Sequence, residues 1–334
     1  MFIMNFILPS IFVALPTLGV VYDMPWLALF AGAVVFPILE YLTQSKVDPK
    51  DSKQESVTWV WGQHFPRLVM FFLIAQNVYL LLHAEQWTWF QIIALGLSMG
   101  YISGGIGITL GHELGHRRNG LDRFLARTHM ISIDYSHYII EHNRGHHRMA
   151  AIEGDPASAR QEESLWHFLP RYYWGVFKGA MELAEKAQGR FNEVWLGAIL
   201  SLVYLAIVVY WAGLQGFVLW LINLVVAQFL VGAVDYIEHW GLRRKQLDGK
   251  YERMGPEHTW DSSSWMSEAL LFNLPRHAAH HMEPSLHCDD LYRSHQSPQM
   301  PTGYAGMILL AMLPPLFFKV MKPRLMQVQS QSLT

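Results

Sequence analysis

The sequence predicts an all-α integral membrane protein with six transmembrane helices and a cytoplasmic helical cap. Three observations support this fold class. Hydrophobic residues make up 51% of the chain and charged residues only 16%, whereas soluble globular chains carry about 25% charged residues. Six apolar runs are long enough to cross a bilayer, and the basic residues all fall on one side of the spans that these runs define. We therefore treat residues 1–334 as a single membrane domain.

The six apolar runs set the predicted spans. A hydrocarbon core of about 30 Å requires about 20 helical residues. The first run begins MFIMNFILPS, with no basic residue ahead of it and no small-residue cleavage site, so it is predicted to be a retained helix rather than a secretory signal. The predicted spans are 4–22, 25–43, 67–84, 88–110, 195–212 and 216–236.

The loops between the spans predict their orientation. The short connections around YDM, HAEQW and GLQG contain no Lys or Arg. All 25 Lys and Arg residues therefore lie on the opposite side, which the positive-inside rule assigns to the cytoplasm together with both termini. The cytoplasmic cap is predicted to comprise 111–194 and 237–322. Within it, the apolar stretch 303–318 is predicted to be a buried or interfacial helix, and 325–334 a disordered tail.

Charge and cysteine usage exclude several classes of function. The net charge is only −2 and no basic run indicates nucleic-acid binding. The single cysteine, Cys288, excludes an internal disulfide and argues against a thiolate metal site or an iron–sulfur cluster. No dinucleotide-binding glycine motif is present, and we predict no bound flavin, haem or NAD. Any redox reaction of this chain must therefore take its electrons from a separate protein.

Histidines are concentrated in three short windows on the predicted cytoplasmic side. HELGH at 112–116, HNRGHH at 142–147 and PRHAAHH at 275–281 together contain eight of the 17 histidines. Such crowding of imidazoles is costly without a bound cation. With His239 at the end of span six, the candidates exceed the coordination number of one ion, so the sequence predicts two metal ions. Neutral imidazole suits Zn, Cu, Fe or Ni, so the residues alone leave the metal open. The predicted ligands are His112, His116, His142, His146, His147, His239, His277, His280 and His281.

The spacing within each window predicts which imidazoles point together. Residues four apart share a face of a helix. We expect the imidazoles of His112 and His116 to point at one common position, and likewise those of His142 and His146. The imidazoles of His277, His280 and His281 are expected to do the same. His147 and His281, each one position beyond a paired histidine, also suit a second point beside the first. Nearby carboxylates are predicted to accept the second ring N–H of the ligands, and the candidates are Glu113, Glu141, Glu238, Asp155 and Asp235.

Two other functions compete with a two-metal enzyme. HELGH matches the H-E-x-x-H helix of zinc metalloproteases, but a protease site uses three protein ligands and leaves six histidines unexplained. A metal transporter requires polar ligands near the middle of the membrane, where the predicted spans are nearly free of ionisable residues. Both alternatives are disfavoured. A polyhistidine site beneath apolar helices suits a lipophilic substrate.

Six sequence segments resemble the membrane-bound alkane 1-monooxygenases. They are HELGHRR (112–118), YIIEHNRGHH (138–147), DPASAR (155–160), YIEHWGL (236–242), GKYER (249–253) and PTGY (301–304). The resemblance covers nearly the whole chain, and its histidine pattern is highly specific. Xylene-type monooxygenases and fatty acid desaturases are more distantly similar.

This resemblance implies a function, a cofactor and a partner. The family has six membrane helices and a cytoplasmic site in which nine histidines hold two iron ions, so the nine histidines above are implied to be both metal ligands and catalytic residues. It inserts one atom of O2 into the terminal methyl group of an alkane, giving a primary alcohol. The electrons pass from NADH through rubredoxin reductase and rubredoxin. The implied location is the bacterial cytoplasmic (inner) membrane. A xylene-type methyl-aromatic monooxygenase is the alternative, and a membrane zinc metalloprotease a weaker one.

The last histidine motif departs from the family pattern. The family usually has L-Q-R-H-S-D-H-H, whereas this chain has LPRHAAHH, in which Pro275, Ala278 and Ala279 replace Gln, Ser and Asp. The histidines are retained, but a carboxylate that could orient them is missing.

Two further sets of residues are predicted to contact the substrate and the electron donor. The small side chains of Ala31, Gly32 and Ala33 in span two could leave space for the tail of a long alkane. Arginines on the cytoplasmic side are predicted to attract an acidic rubredoxin, and they are Arg117, Arg118, Arg144, Arg148 and Arg160.

Overall fold

The computed structural model describes residues 4–46 and 60–331, which are mostly helical. In chain order the helices are α1 (Met4–Val21), α2 (Leu27–Leu42), α3 (Val60–Leu82), α4 (Trp89–His116), α5 (Gly120–Ser132), α6 (His137–Glu141), α7 (Leu165–Gln188), α8 (Glu193–His239), α9 (Trp265–Leu270), α10 (His277–Met282), α11 (Tyr304–Ala311) and α12 (Pro314–Gln331). Short π-helical turns lie at Ala31–Val35, Ser103–Gly107 and His142–His146, and the last continues into one α-helical turn, His147–Met149. A two-stranded antiparallel hairpin pairs β1 (Gln246–Leu247) with β2 (Lys250–Tyr251).

Apolar helices occupy all six places where spans are predicted. Within the described residues, three helices are long and apolar enough to cross a membrane, namely His64–Leu82, Trp89–His116 and Glu193–His239; α1 and α2 are apolar but shorter, and the bent pair of α11 and α12 is a fourth candidate. The chain is thus an integral membrane protein. Six crossings remain a prediction.

The longest helix is a hairpin of two helices. Gly213 in α8 has φ 55°, ψ −145°, a backbone conformation that suits glycine. Ser201 Oγ donates to Ile131 O at 3.0 Å, and Trp220 Nε1 donates to the neighbouring Ser132 O at 2.8 Å. Because residues on both sides of Gly213 contact the same end of α5, the chain reverses there. The predicted fifth and sixth spans are therefore antiparallel neighbours.

Helix α5 belongs to the predicted cap but packs against the apolar helices. It belongs to the 111–194 segment that the sequence places below the membrane, yet its C-terminal end packs among the apolar helices. His129 Nε2 donates to Ser103 O of α4 at 3.1 Å. Ser201, which contacts α5, lies 12 residues from Gly213 and so about 18 Å along the helix from that turn. The C-terminal end of α5 therefore packs within the helix bundle, against α4 and α8.

Helix α12 corrects the predicted disordered tail, 325–334. The helix continues to Gln331, and residues 332–334 lie outside the described chain. Phe317, Met321 and Leu325 recur every four residues and are fully buried, and the Phe317 ring lies 5.1 Å from that of Trp240. Burial of this face holds the polar end of the helix in place. The stretch 303–318 is likewise two helices bent by 119°, and Pro314 begins the second of them.

Candidate metal centre

The nine predicted ligands come together from four distant segments of the chain. They project from the end of α4, the π-helical turn after α6, the end of α8, and α10. Their nitrogen atoms form two groups, and within each group the atoms lie within 4.8 Å of one another. The five-histidine group is His112, His116, His142, His147 and His280, and the four-histidine group is His146, His239, His277 and His281.

The imidazoles meet through their Nε2 atoms. In the five-histidine group the Nε2–Nε2 separations are 2.8 Å for His112–His142, 3.3 Å for His112–His116, 3.0 Å for His142–His147 and 3.0 Å for His147–His280. In the four-histidine group they are 3.3 Å for His239–His277 and 2.9 Å for His277–His281. Two nitrogens that are each about 2 Å from one ion lie about 3 Å apart. The separations therefore fit imidazoles that converge on a shared metal ion.

His146 provides an independent test of this fit. Its Nε2 is buried and has no hydrogen-bond partner among the described residues, although its ring lies 4.8 Å from the ring of His239 and 4.9 Å from that of His281. Burying a nitrogen without a partner is costly. A metal ion in the four-histidine group would supply the missing partner.

The grouping differs from the one that helix faces predict. His112 and His116 share a group as expected, but His142 is grouped with His147 and not with His146. The segment His142–His146 is π-helical, and a π-helix places residues five apart, not four, in neighbouring turns. In α10, His281 is in the same group as His277, whereas His280 is in the other group. Relative to His277, His280 is rotated by about −60° around the helix axis and His281 by about +40°, so the two point in different directions.

Burial keeps most of these rings neutral. For His142, His277 and His281, burial lowers the pKa well below the usual value, and the neighbouring imidazoles lower it further. Burial also lowers the pKa of His146, but the charge and hydrogen bond of Asp155 outweigh this effect and raise it to about 9. Neutral imidazole is the form that binds metals.

Two of the five predicted orienting carboxylates contact the centre. Asp155 Oδ2 accepts from His146 Nδ1 at 3.0 Å and also accepts from the Ser158 hydroxyl. Glu238 Oε2 lies 3.2 Å from His277 Nε2, and its Oε1 accepts from the Tyr304 hydroxyl at 2.7 Å. Asp155 thus contacts the His146 nitrogen that points away from the four-histidine group. Glu238 instead lies near Nε2 of His277, the nitrogen that points into this group.

The other three carboxylates have different partners. Glu113 pairs with Arg117 at 2.7 Å, and Asp235 accepts from the Tyr172 hydroxyl at 2.6 Å. Glu141 is packed beneath Gly145 and Gly179, and burial raises the pKa of its carboxyl to about 8. Their predicted orienting role has no hydrogen bond to support it among the described residues.

Two residues near the centre were missed by the sequence reasoning. Asp261 Oδ1 accepts from the backbone N–H of Ala278 at 2.9 Å and so holds the first turn of α10. The ring of Tyr138 stacks on His142 with centroids 5.1 Å apart. Tyr138 lies four residues before His142, a spacing that could have identified it, whereas Asp261 has no such signal in the sequence.

Two small adjoining cavities lie between the helices and the histidines, and we call them together the apolar passage. An outer cavity of about 50 Å³ is lined by Phe12, Tyr101 and Ile308, among others. An inner cavity of about 20 Å³ is lined by His112, His142 and His277. Both cavities share Thr109, Val234 and Leu274 as lining residues, so they adjoin.

The predicted channel residues Ala31, Gly32 and Ala33 do not line either cavity. A Cβ at Gly32 would overlap the ring of Tyr101, whose hydroxyl donates to Gly32 O at 2.9 Å. Gly32 therefore positions the side chain of Tyr101, and it is Tyr101 that lines the outer cavity.

The five predicted docking arginines have different environments. Arg117 is buried against Glu113, so it is not available for docking. Arg144 is half-buried and pairs with Glu193 at 2.7 Å. Arg118, Arg148 and Arg160 are exposed.

Comparison with known proteins agrees with this site. The family model described as fatty acid desaturase matches residues 87–311. The chain is 31% identical to alkane 1-monooxygenase of Pseudomonas putida, over 95% of this chain and 84% of the relative. It is 34% identical to alkane 1-monooxygenase 2 of Pseudomonas aeruginosa, over 90% and 84%. It is 24% identical to the xylene/toluene monooxygenase hydroxylase component XylM of Pseudomonas putida, over 92% and 85%.

Proposed function

This chain belongs to the fatty acid desaturase family and, within it, to the alkane 1-monooxygenases, and on that premise we propose that two iron ions occupy its two histidine groups. The enzyme is an oxidoreductase with a non-haem metal centre. It hydroxylates the terminal methyl group of alkanes to primary alcohols. The observation that supports two ions is the division of nine histidines into groups of five and four, since neither group alone uses all of them.

The geometry suggests which residues would bind the metal ions, which orient the ligands and which bind the substrate. Two bound iron ions would supply the activation of O2, with one oxygen atom entering the C–H bond and the other leaving as water after uptake of two electrons and two protons. The histidines hold the ions, and Asp155 fixes the orientation of His146 through Nδ1. The apolar passage binds the alkane and keeps water from the reacting carbon. Thr109, Val234 and Leu274 lie where a methyl group approaches the histidines.

The substrate class is tested by comparing alkanes with a methyl-aromatic compound. Purified enzyme with rubredoxin, rubredoxin reductase, NADH and O2 is expected to convert octane through hexadecane to 1-alkanols faster than p-xylene to its benzylic alcohol. The identity to alkane 1-monooxygenases exceeds that to the xylene/toluene component, which supports this order. A preference for p-xylene would favour the methyl-aromatic alternative, and peptide hydrolysis without O2 would favour the protease.

Tyr101 is expected to limit the length of the alkane. Replacing Tyr101 with alanine enlarges the outer cavity, so the turnover of hexadecane relative to octane should rise by about tenfold, the scale of one or two buried methylene groups. Product ratios from a mixed-alkane assay measure this. Tyr101→Phe, which keeps the ring but removes the bond to Gly32 O, is the control and should leave the ratio unchanged. Equal ratios in all three proteins would place the chain-length determinant elsewhere.

An acidic redox protein fits the exposed arginines of the cytoplasmic face, in the inner-membrane topology that we propose. The enzyme requires an electron-transfer partner, and rubredoxin is our candidate. Reversing charge in Arg148→Glu/Arg160→Glu should raise the KM for rubredoxin about tenfold and weaken its dependence on salt, because such charges steer association. Steady-state kinetics at several ionic strengths measure both effects. The exposed Lys178→Glu is the control, and an unchanged KM in the double variant would exclude this docking face.

A further inference from the structure

A cavity of about 260 Å³ lies apart from the alkane passage, between α5, α6 and the start of α8. We call it the arginine cavity, because Arg123, Arg127 and Arg144 line it together with Glu193. Its remaining wall includes the hydroxyl side chain of Ser136 and the amide side chain of Asn143, and an aliphatic part with Leu196 and Leu200. One end of the cavity is thus cationic and the other apolar.

The arginine cavity has an excess of positive charge. Glu193 is shared by two arginines, through Arg127 Nη2 at 2.9 Å and Arg144 Nη1 at 2.7 Å. Arg123 donates through Nε to Arg117 O at 3.0 Å and forms no ion pair with a carboxylate of the described chain. Three guanidinium groups therefore face one carboxylate, and the excess favours an anion. The planar guanidinium matches the geometry of a phosphate group.

The position of the cavity identifies the source of the phosphate. Glu193 lies 20 residues from Gly213, about 30 Å along α8, which is the thickness of the hydrocarbon core. Leu196 and Leu200 are exposed on the face of α8 that also exposes Ile199 and Val203, where acyl chains would lie. The arginines are consequently at the depth of the lipid headgroups of one leaflet.

We propose that the arginine cavity binds the headgroup of an anionic glycerophospholipid, with Arg123 and Arg127 on its phosphate and the acyl chains along Leu196 and Leu200. Basic pockets at the ends of membrane helices bind anionic lipids in this way. This site is separate from the alkane passage, since the two share no lining residue. It does not depend on the proposed reaction.

A bound lipid would also support the metal centre. Asn143 and Arg144 belong to the π-helical turn His142–His146, and Asn143 Nδ2 donates to Gly115 O, next to His116, at 3.2 Å. A headgroup in contact with these residues would connect the turn to the C-terminal end of α4 and the start of α8. Retention of lipid is therefore expected to slow metal loss.

Lipid binding to the full-length protein in phosphatidylcholine nanodiscs tests the proposal, with phosphatidylglycerol as the titrated lipid and native mass spectrometry as the readout. Each cationic side chain near the surface contributes about fivefold in affinity, so Arg123→Gln/Arg127→Gln should weaken binding about 25-fold. This variant leaves Arg144 to pair with Glu193. Arg123→Lys/Arg127→Lys keeps both charges but loses the planar groups, so it should bind more tightly than the Gln variant and more weakly than the unaltered protein. Arg190→Gln, an exposed arginine outside the cavity, controls for general surface charge and should bind as the unaltered protein does.

Three results would overturn the proposal. The first is equal binding of phosphatidylglycerol by the Gln, Lys and Arg190 variants, or no preference over phosphatidylcholine. The second is displacement of the lipid by inorganic phosphate alone, which would indicate a site for free phosphate. The third is a Gln variant that weakens rubredoxin binding but not lipid binding, which would assign the arginines to the donor.

Discussion

Replacing His142 with alanine is expected to lower alkane hydroxylation by more than about 100-fold and to release iron from the five-histidine group. Removing a residue that only orients a ligand costs about 10–100-fold in metal affinity or activity, and the loss of a ligand should exceed that. His142 Nε2 lies 2.8 Å from that of His112 and 3.0 Å from that of His147, so it occupies the middle of its group. Iron analysis and 1-octanol formation, measured on the same sample, report both effects.

The control for this variant is His295→Ala. His295 is an exposed histidine outside both groups, so its replacement should change neither iron content nor rate. Gel filtration and thermal unfolding of both variants separate loss of metal from loss of fold. If His142→Ala retained its iron and at least half of its activity, His142 would not be a ligand.

Replacing Asp155 with asparagine is expected to lower iron affinity and activity by about 10–100-fold. The carboxylate accepts from His146 Nδ1 and thereby directs Nε2 into the four-histidine group. An asparagine amide can present its NH2 instead of an acceptor, and it removes the negative charge that stabilises the ring. Competition with a chelator, followed by iron analysis, measures the affinity change without relying on turnover.

Ser158→Ala is the matched control for Asp155. Ser158 donates to Asp155 and accepts from Ala151 N–H in the same loop, so its loss disturbs the loop but leaves the contact with His146. Ser158→Ala should lose much less iron than Asp155→Asn under the same chelator. Equal losses would show that Asp155 acts on the loop as a whole and does not position His146.

The sequence predicted the apolar helices well because a helix that contacts lipid must be apolar along its own length. A run of about 20 apolar residues is visible without knowing its neighbours, and helices occur at all six places. No local sequence pattern of this kind reveals the position of α5. The helix carries the charged residue Asp122, yet this carboxylate is buried and accepts from Arg67 Nη2 of α3 at 2.9 Å. The contacts that place α5 among the spans come from residues far away in sequence.

The tail shows the same limitation at the other end of the chain. QVQSQ at 327–331 is polar and suggested disorder, but Leu325 packs against Gly241, where a Cβ would lie 2.5 Å from Leu325 Cδ2. Gly241 has φ 73°, so a small residue in an unusual conformation makes room for the helix. No pattern within the tail reveals this distant partner.

For the candidate centre, the density of histidines indicated which residues meet but not how they divide. All nine lie in the two groups, because crowded imidazoles on one side of the membrane require a common cause. The division depends on the π-helical turn at His142–His146, which the sequence spacing did not predict. Likewise, the sequence pointed to Gly32 and not to Tyr101. The Tyr101 ring packs against Gly32 but comes from α4, so no local pattern connects the two residues.

The most direct test of the central claim is the metal content of the purified, active enzyme. Iron, zinc and copper are measured per chain by elemental analysis, alongside the rate of 1-octanol formation. We expect two irons per chain, with activity lost on their removal and restored by ferrous iron. A single zinc per chain, or full activity with one iron, would contradict a centre in which five and four histidines each hold an iron ion.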